Sequence, residues 1–206
     1  MSKNVIEFYC LASKLKDIIR EGWKMWHISA SRLESVAEHV YGTMMLAIAM
    51  HSEFDYKIDL KHVVFMLAVH EMEEVFIGDI TPFSPAEALE KKKEGKQAVA
   101  RLFKNLGKKD AVIAAIDEYE ERKTAEAKFA FQVDKLQAGL QCKQYDLDGY
   151  INPNDSNLDI VRRHNLEMRG FSRLSDSWLE YCIEKYGFDE NFISVARAAR
   201  EDKNWD

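Results

Sequence analysis

The residues with the most chemistry to offer stand at the end of an apolar run. Val63-Val64-Phe65-Met66-Leu67-Ala68-Val69 leads into His70-Glu71-Met72-Glu73-Glu74, and Asp79 follows Gly78. One imidazole and four carboxylates thus adjoin a segment that must be buried, and an interior tolerates such charge only when something compensates it. A bound cation is the simplest compensation. On a continuous helix, His70 and Glu74 are one turn apart on one face, with Glu71 displaced by about 100°. The competing reading is structural, because acidic clusters commonly form the solvated end of a buried helix.

Residues elsewhere in the chain decide between the two. His39 sits one turn inside a helix whose start is marked by Ser35 and Glu38, a capping-box pair, and which runs to about His51. Asp134 lies on a helix that Thr124 can cap and that runs to about Lys143. Ala130 and Ala138 are its neighbours one turn away, and an unpaired carboxylate among small residues needs a partner. His39, His70, Glu71 and Asp134 would give two imidazoles and two carboxylates drawn from three helices. That mixed set suits a borderline or hard divalent ion such as Zn, Mn, Co or Fe, and fits neither a thiolate site nor an all-oxygen calcium site. The bland reading of each histidine is a satisfied core or boundary residue, which His51 and His62, at polar helix ends, fit better than His39.

The elements that must carry these residues are helices. With 9 Gly and 3 Pro in 206 residues, 47% hydrophobic and 31% charged, the chain signals few turns and predicts one all-α domain spanning 1–206. Apolar spacing predicts a first amphipathic helix over 5–19. An aromatic connection, Gly22-Trp23-Lys24-Met25-Trp26-His27-Ile28, follows it, with Arg20 and Lys24 as nearby cations. Trp23 and Trp26 read first as cover for the core and second as surfaces for a base or sugar. Met44 to Met50 is apolar on all sides, which predicts a central helix. The apolar run itself predicts a helix from about Asp59 to Gly78, ended by that glycine and by Pro82.

Beyond it, a Lys- and Glu-rich surface helix is expected over 84–106, with Glu87 and Lys91 at supportive spacing, and another over 110–122. Phe129, Phe131, Val133, Leu136 and Leu140 are core candidates of the helix that carries Asp134. Tyr145 to Asn154 reads as the one long loop. Its acidic residues lack the twelve-position spacing of a calcium loop. C-terminal helices within 158–203, at about 172–186 and 189–201, close the domain.

Charge and thiols narrow the setting. A net charge of −6 gives no general attraction to nucleic acid or an anionic membrane, so a phosphate ligand has to be held locally. Cys10, Cys142 and Cys182 are odd in number and far apart, which argues against a disulfide framework. No signal-peptide layout and no apolar stretch of membrane-spanning length is present, so the expected location is cytoplasmic.

The motifs taken in order resemble a known family. Glu34-Ser35-Val36-Ala37-Glu38-His39, His70-Glu71-Met72-Glu73-Glu74, Ile77-Gly78-Asp79-Ile80-Thr81-Pro82, Glu126-Ala127-Lys128-Phe129 and Gln132-Val133-Asp134-Lys135 are similar to the HD-domain metal-dependent phosphohydrolases. Within these the resemblance is to the 5'-deoxynucleotidase branch, and it runs in register from about residue 8 to 150. It implies that His39, His70, Glu71 and Asp134 are metal ligands, that Glu74 and Asp79 are catalytic, and that the substrate is a small nucleotide. It further implies a homodimer and a divalent ion, with Mg added to those above. The position that gives the family its aspartate holds Glu71, longer by one C–C bond of roughly 1.5 Å. The phosphate-gripping arginine has Arg20 or Lys24 as candidates, with Trp23 beside them. The alternatives on the same scaffold are a nucleotide- or metal-binding protein without activity and a hydrolase of nucleoside triphosphates or cyclic phosphodiesters.

Overall fold

The computed structural model describes residues 2–81, 84, 86–152, 154, 170–202 and 205. Among them the regular elements are helical, and the sole extended pairing is an isolated antiparallel bridge between Ile19 and Ser35. The helices are α1 (Ser2–Ala12), α2 (Glu21–Met25), α3 (Val36–Glu53), α4 (Leu60–Val69), α5 (Glu74–Ile77), α6 (Ala86–Phe103), α7 (Lys109–Glu121), α8 (Ala125–Leu147), α9 (Leu174–Tyr186) and α10 (Glu190–Glu201), with a 3-10 turn at Ser13–Lys16 after α1. The all-α expectation holds. Pro82, the side chains of Glu87 and Lys91, and 158–169 of the expected C-terminal helices lie outside the described residues.

The chain forms two compact units. One comprises Met1–Glu21 and Glu34–Phe131, the other Gly22–Leu33 and Gln132–Asp206. In the first, Leu15, Val36, Met72, Val99, Leu102, Phe103 and Ile116 make the core, and Phe8 and Leu11 of α1 pack against it. The start of α3 is fixed as the sequence predicts: Ser35 accepts a hydrogen bond from the Glu38 N–H, and the Glu38 carboxylate accepts from the Ser35 N–H at 2.8 Å. The bridge at Ile19–Ser35 then holds Arg20 beside this cap, its N–H donating to Glu34 O at 3.1 Å. Two distant positions that matter below, 20 and 39, are thereby tied together.

The first helix, expected over 5–19, ends at Ala12 and gives way to the 3-10 turn at Ser13–Lys16, and the connection expected at 22–28 overlaps α2. Two further helices depart from expectation. α3 is not central: Tyr41, Met45 and Ile48, at helical spacing, are 63%, 46% and 39% exposed, so one apolar face is left uncovered among the described residues. The apolar run does not continue as one helix to Gly78. α4 ends at Val69, a tight turn spans 70–73, and α5 restarts at Glu74. The reason is local. In a continuing helix Leu67 O would accept from the Glu71 N–H; here it meets His70 Nδ1 at 2.7 Å, and the bonds that follow, Met72 N–H to Val69 O and Glu74 N–H to Glu71 O, span three residues instead of four. Gly78 closes α5 with φ +77°, as a glycine stop should. α6 passes close beside this turn at Gly95, where a Cβ would lie 3.1 Å from both Glu73 and Ile77 side-chain atoms.

In the second unit, Trp23, Trp26, Ile28, Cys142, Tyr145, Ile151 and Leu174 form the core. The expected loop at Tyr145 begins later, because α8 runs on to Leu147; Asp146 accepts from the Ser175 N–H at 3.0 Å at the first turn of α9. Lys143 is buried and donates to Asp176 at 2.6 Å and to Arg200 O at 3.3 Å. Removing the carboxylate would leave an ammonium without its counter-charge in the interior. Asp176→Ala is therefore expected to cost about 3–5 kcal/mol in urea unfolding, while replacing Lys143 and Asp176 together by Met and Leu costs far less.

Candidate metal centre

α3 and the end of α4 bring three of the candidate ligands together within the first unit, and α8 carries the fourth, Asp134. His39 is fully buried on the second turn of α3, and His70 caps the end of α4, 6% exposed. Their rings are 5.8 Å apart. His70 Nδ1 faces a carbonyl oxygen, which can only accept, so Nδ1 carries the proton and Nε2 presents its lone pair. A metal-ligating histidine has this arrangement, because its second nitrogen must be anchored to hold the ring in place.

Glu71 meets both imidazoles. Its Oε1 lies 3.4 Å from His70 Nε2 and 3.8 Å from His39 Nε2. The tight turn at 70–73 removes Glu71 from helical register, so the position predicted 100° away from His70 is brought back toward it. Asp134 is 1% exposed, and its Oδ2 pairs with Lys135 Nζ at 2.7 Å. The partner that a carboxylate among small residues requires is thus partly its own neighbour, which the sequence pattern did not single out. Within the first unit, His39, His70 and Glu71 thus bring two imidazoles and a carboxylate together, a donor set that could hold a divalent cation. Two neutral nitrogens and two carboxylates fit such an ion, and the residues present fit the cofactor that the sequence implies.

Around this cluster lies a second tier of charge. Arg20 Nη1 reaches Asp79 Oδ1 at 3.0 Å and Glu71 Oε1 at 3.5 Å. The other oxygen of Asp79 accepts a short hydrogen bond from the Glu21 N–H. Both oxygens of Asp79 are therefore engaged with the 20–21 segment. Glu74, 4% exposed at the start of α5, accepts a long 3.4 Å bond from the Ile80 N–H at Oε1, while its Oε2 is buried with no donor in reach. Burial first, then the charges of Glu71 and Asp79, push the Glu74 carboxyl well above the usual carboxylate range, against the pull of Arg20. A proton on Glu74, for which Asp79 is the acceptor at hand, resolves the unmet oxygen.

Of the sequence candidates, His39, His70, Glu71, Arg20, Glu74 and Asp79 come together within the first unit, and Asp134 is buried on α8. Trp23 is a core residue, 6% exposed, with its ring edge-on to Tyr145 at 5.3 Å. Lys24 is exposed on α2. Tyr119 on α7 was not anticipated; its ring lies 4.9 Å from that of His70. No local signal marks it, since 49 residues separate the two.

Fold and donor set together define a helical metal-dependent hydrolase of the HD type. The HD domain family model matches residues 12–172, and the chain belongs to that family. Among curated relatives, a 5'-deoxynucleotidase of Xenopus laevis, HDDC2, is 33% identical over 146 residues, 70% of each chain. The human HDDC2 is 28% identical over 70% of each chain, and the 5'-deoxynucleotidase hdd1 of Schizosaccharomyces pombe is 28% identical over 70% of this chain and 74% of its own. A crystal structure of a "predicted metal-dependent phosphohydrolase" from Magnetospirillum magnetotacticum superposes with a TM-score of 0.67 at 25% identity, covering 96% of this chain and 89% of that one.

Proposed function

We propose that this protein is a metal-dependent 5'-deoxynucleotidase that releases phosphate from deoxynucleoside 5'-monophosphates. The observation that carries the proposal is the approach of Glu71 Oε1 to His70 Nε2 at 3.4 Å and His39 Nε2 at 3.8 Å, with Arg20 directed at the same oxygen; Asp134 of α8 would be the fourth ligand. The four residues would hold one divalent ion, of which Mn, Co, Zn and Fe suit the mixed donors better than Mg. Such an ion lowers the pKa of bound water toward about 7 and offsets phosphoryl charge.

The chain's own residues do the rest. Arg20, oriented by Asp79, presents a fork of N–H donors to the outer phosphate oxygens. Burial and the neighbouring carboxylates raise the Glu74 pKa and so favour its protonated form, which would pass that proton to the departing 5'-oxygen as the P–O bond breaks. Asp79 accepts from Arg20 and from the Glu21 N–H, and so acts by fixing the segment that carries the phosphate contact. Tyr41, Met45 and Ile48 form an apolar face suited to self-association, and the protein is taken as a homodimer acting on a small nucleotide, with neither nucleic acid nor membrane as partner. The free thiols Cys10, Cys142 and Cys182 fit a reducing, cytoplasmic setting, and among the described residues no helix is long and apolar enough to cross a membrane.

Phosphate release from a panel of deoxyribo- and ribonucleoside 5'-monophosphates, with Mn, Co, Zn or Mg added, tests this. Turnover of the deoxy series by the parent protein is expected, which also makes Glu71 a working ligand. Activity confined to Glu71→Asp would mean a binding scaffold whose longer carboxylate has cost it the chemistry. Silence in both would direct attention to other phosphate esters.

A further inference from the structure

We infer that Tyr119 is a positioning residue for the metal ligand His70, acting through its ring; the inference rests on the metal site proposed above. The Nδ1 contact to Leu67 O fixes one edge of the imidazole, and Glu71 lies at Nε2. The Tyr119 ring adds a restraint of another kind, edge-on to the imidazole at 4.9 Å between centroids and inclined at 60°. Edge-to-face contacts at this separation are directional, so they limit tilt as well as fill space.

The helix that carries Tyr119 is itself fastened to the helix that carries His70. The preceding residue, Glu118, meets His62 Nε2 at 2.7 Å on the first turn of α4, and the Thr124 hydroxyl donates to its other oxygen at 2.6 Å. Glu118 thus fixes the end of α7, and Tyr119 transmits that position to the imidazole at the far end of α4. A residue on a helix that gives no ligand sets the direction of a ligand's lone pair. Outer-shell groups that orient a ligating histidine typically change metal affinity by about 10–100-fold when removed.

The test is cobalt(II) titration of the purified, metal-stripped protein, followed by visible absorption and by calorimetry. Tyr119→Phe keeps the ring and is expected to bind within about twofold of the parent, with the same spectrum. Tyr119→Leu is expected to bind about tenfold more weakly, with shifted ligand-field bands that report altered geometry. Tyr119→Met, longer and more adaptable, repeats the measurement on a second ringless background if the Leu variant fails to fold. Equal affinity and an unchanged spectrum in the ringless variants would overturn the inference, as would a Phe variant as weak as they are. A parent that binds no cobalt(II) would instead overturn the metal site itself.

Discussion

His70→Ala is expected to lose the metal ion and phosphate release together, activity falling by at least about 10³-fold, or ~4 kcal/mol in transition-state stabilisation. The substitution removes a buried donor whose Nε2 lies 3.4 Å from Glu71 Oε1. It also removes the Nδ1 contact that ends α4 and sets the turn at 70–73, so Glu71 loses its placement as well. Asp134→Ala should give the same loss by another route, since it takes away a carboxylate on a separate helix and leaves the 70–73 turn alone. Elemental analysis of both variants, with circular dichroism to confirm helix content, makes the comparison. Full metal occupancy in Asp134→Ala would remove Asp134 from the ligand set and with it the proposed centre.

Glu74→Gln separates chemistry from metal binding. Glu74 belongs to α5, beyond the turn, and is not one of the four candidate ligands. The variant is expected to keep its metal and its KM while kcat falls by about 10²–10⁴, the range for loss of a positioned general acid. Its pH profile should change in a defined sense. In the parent, kcat falls as pH rises through the raised Glu74 pKa, because the proton needed by the leaving oxygen is then absent. Glutamine cannot ionise, so that limb disappears. Stability of the metal-free protein follows the same group. Its folded pKa lies above the unfolded value, so the native state binds more protons between the two, and stability is full below the unfolded pKa and declines as pH rises through the folded one. Glu74→Gln should lose that decline. A variant that loses metal in proportion to its activity would make Glu74 a ligand instead of a proton donor.

The two experiments bear on different halves of the site. Loss of His70 or Asp134 tests whether the four donors act as one centre. Loss of Glu74 tests whether the carboxyl beside them is held protonated for use. The Arg20–Asp79 pair stands between these roles, since Arg20 contacts Glu71 as well as Asp79 and so links phosphate contact to ligand placement.

Local sequence settled what local physics controls. The Ser35–Glu38 cap, the glycine stop at Gly78 and the Thr124 cap of α8, where Thr124 accepts from the Ala127 N–H at 3.1 Å, were all legible, because each is a hydrogen bond or dihedral preference confined to a few residues. Motif order also names the four candidate ligands, though they lie up to 95 positions apart. Periodicity could not show that α4 breaks at His70. A side chain competing for one helical carbonyl alters no apolar spacing, yet here it decides where Glu71 goes. Nor could the sequence separate Trp23 from a ligand surface, or show that α3 leaves Tyr41, Met45 and Ile48 uncovered: the same apolar residues serve a core and an interface, and only packing assigns them. Arg20 against Glu71 and Asp79, and Tyr119 against His70, were decided by tertiary structure, for these partners are set by how distant segments pack; Lys135 pairs with its own helix neighbour, Asp134. Residue types and motif order name the candidate ligands and proton donor; the turn after His70 decides that Glu71 meets both imidazoles, and the packing of α4 against α7 decides that Tyr119 meets His70.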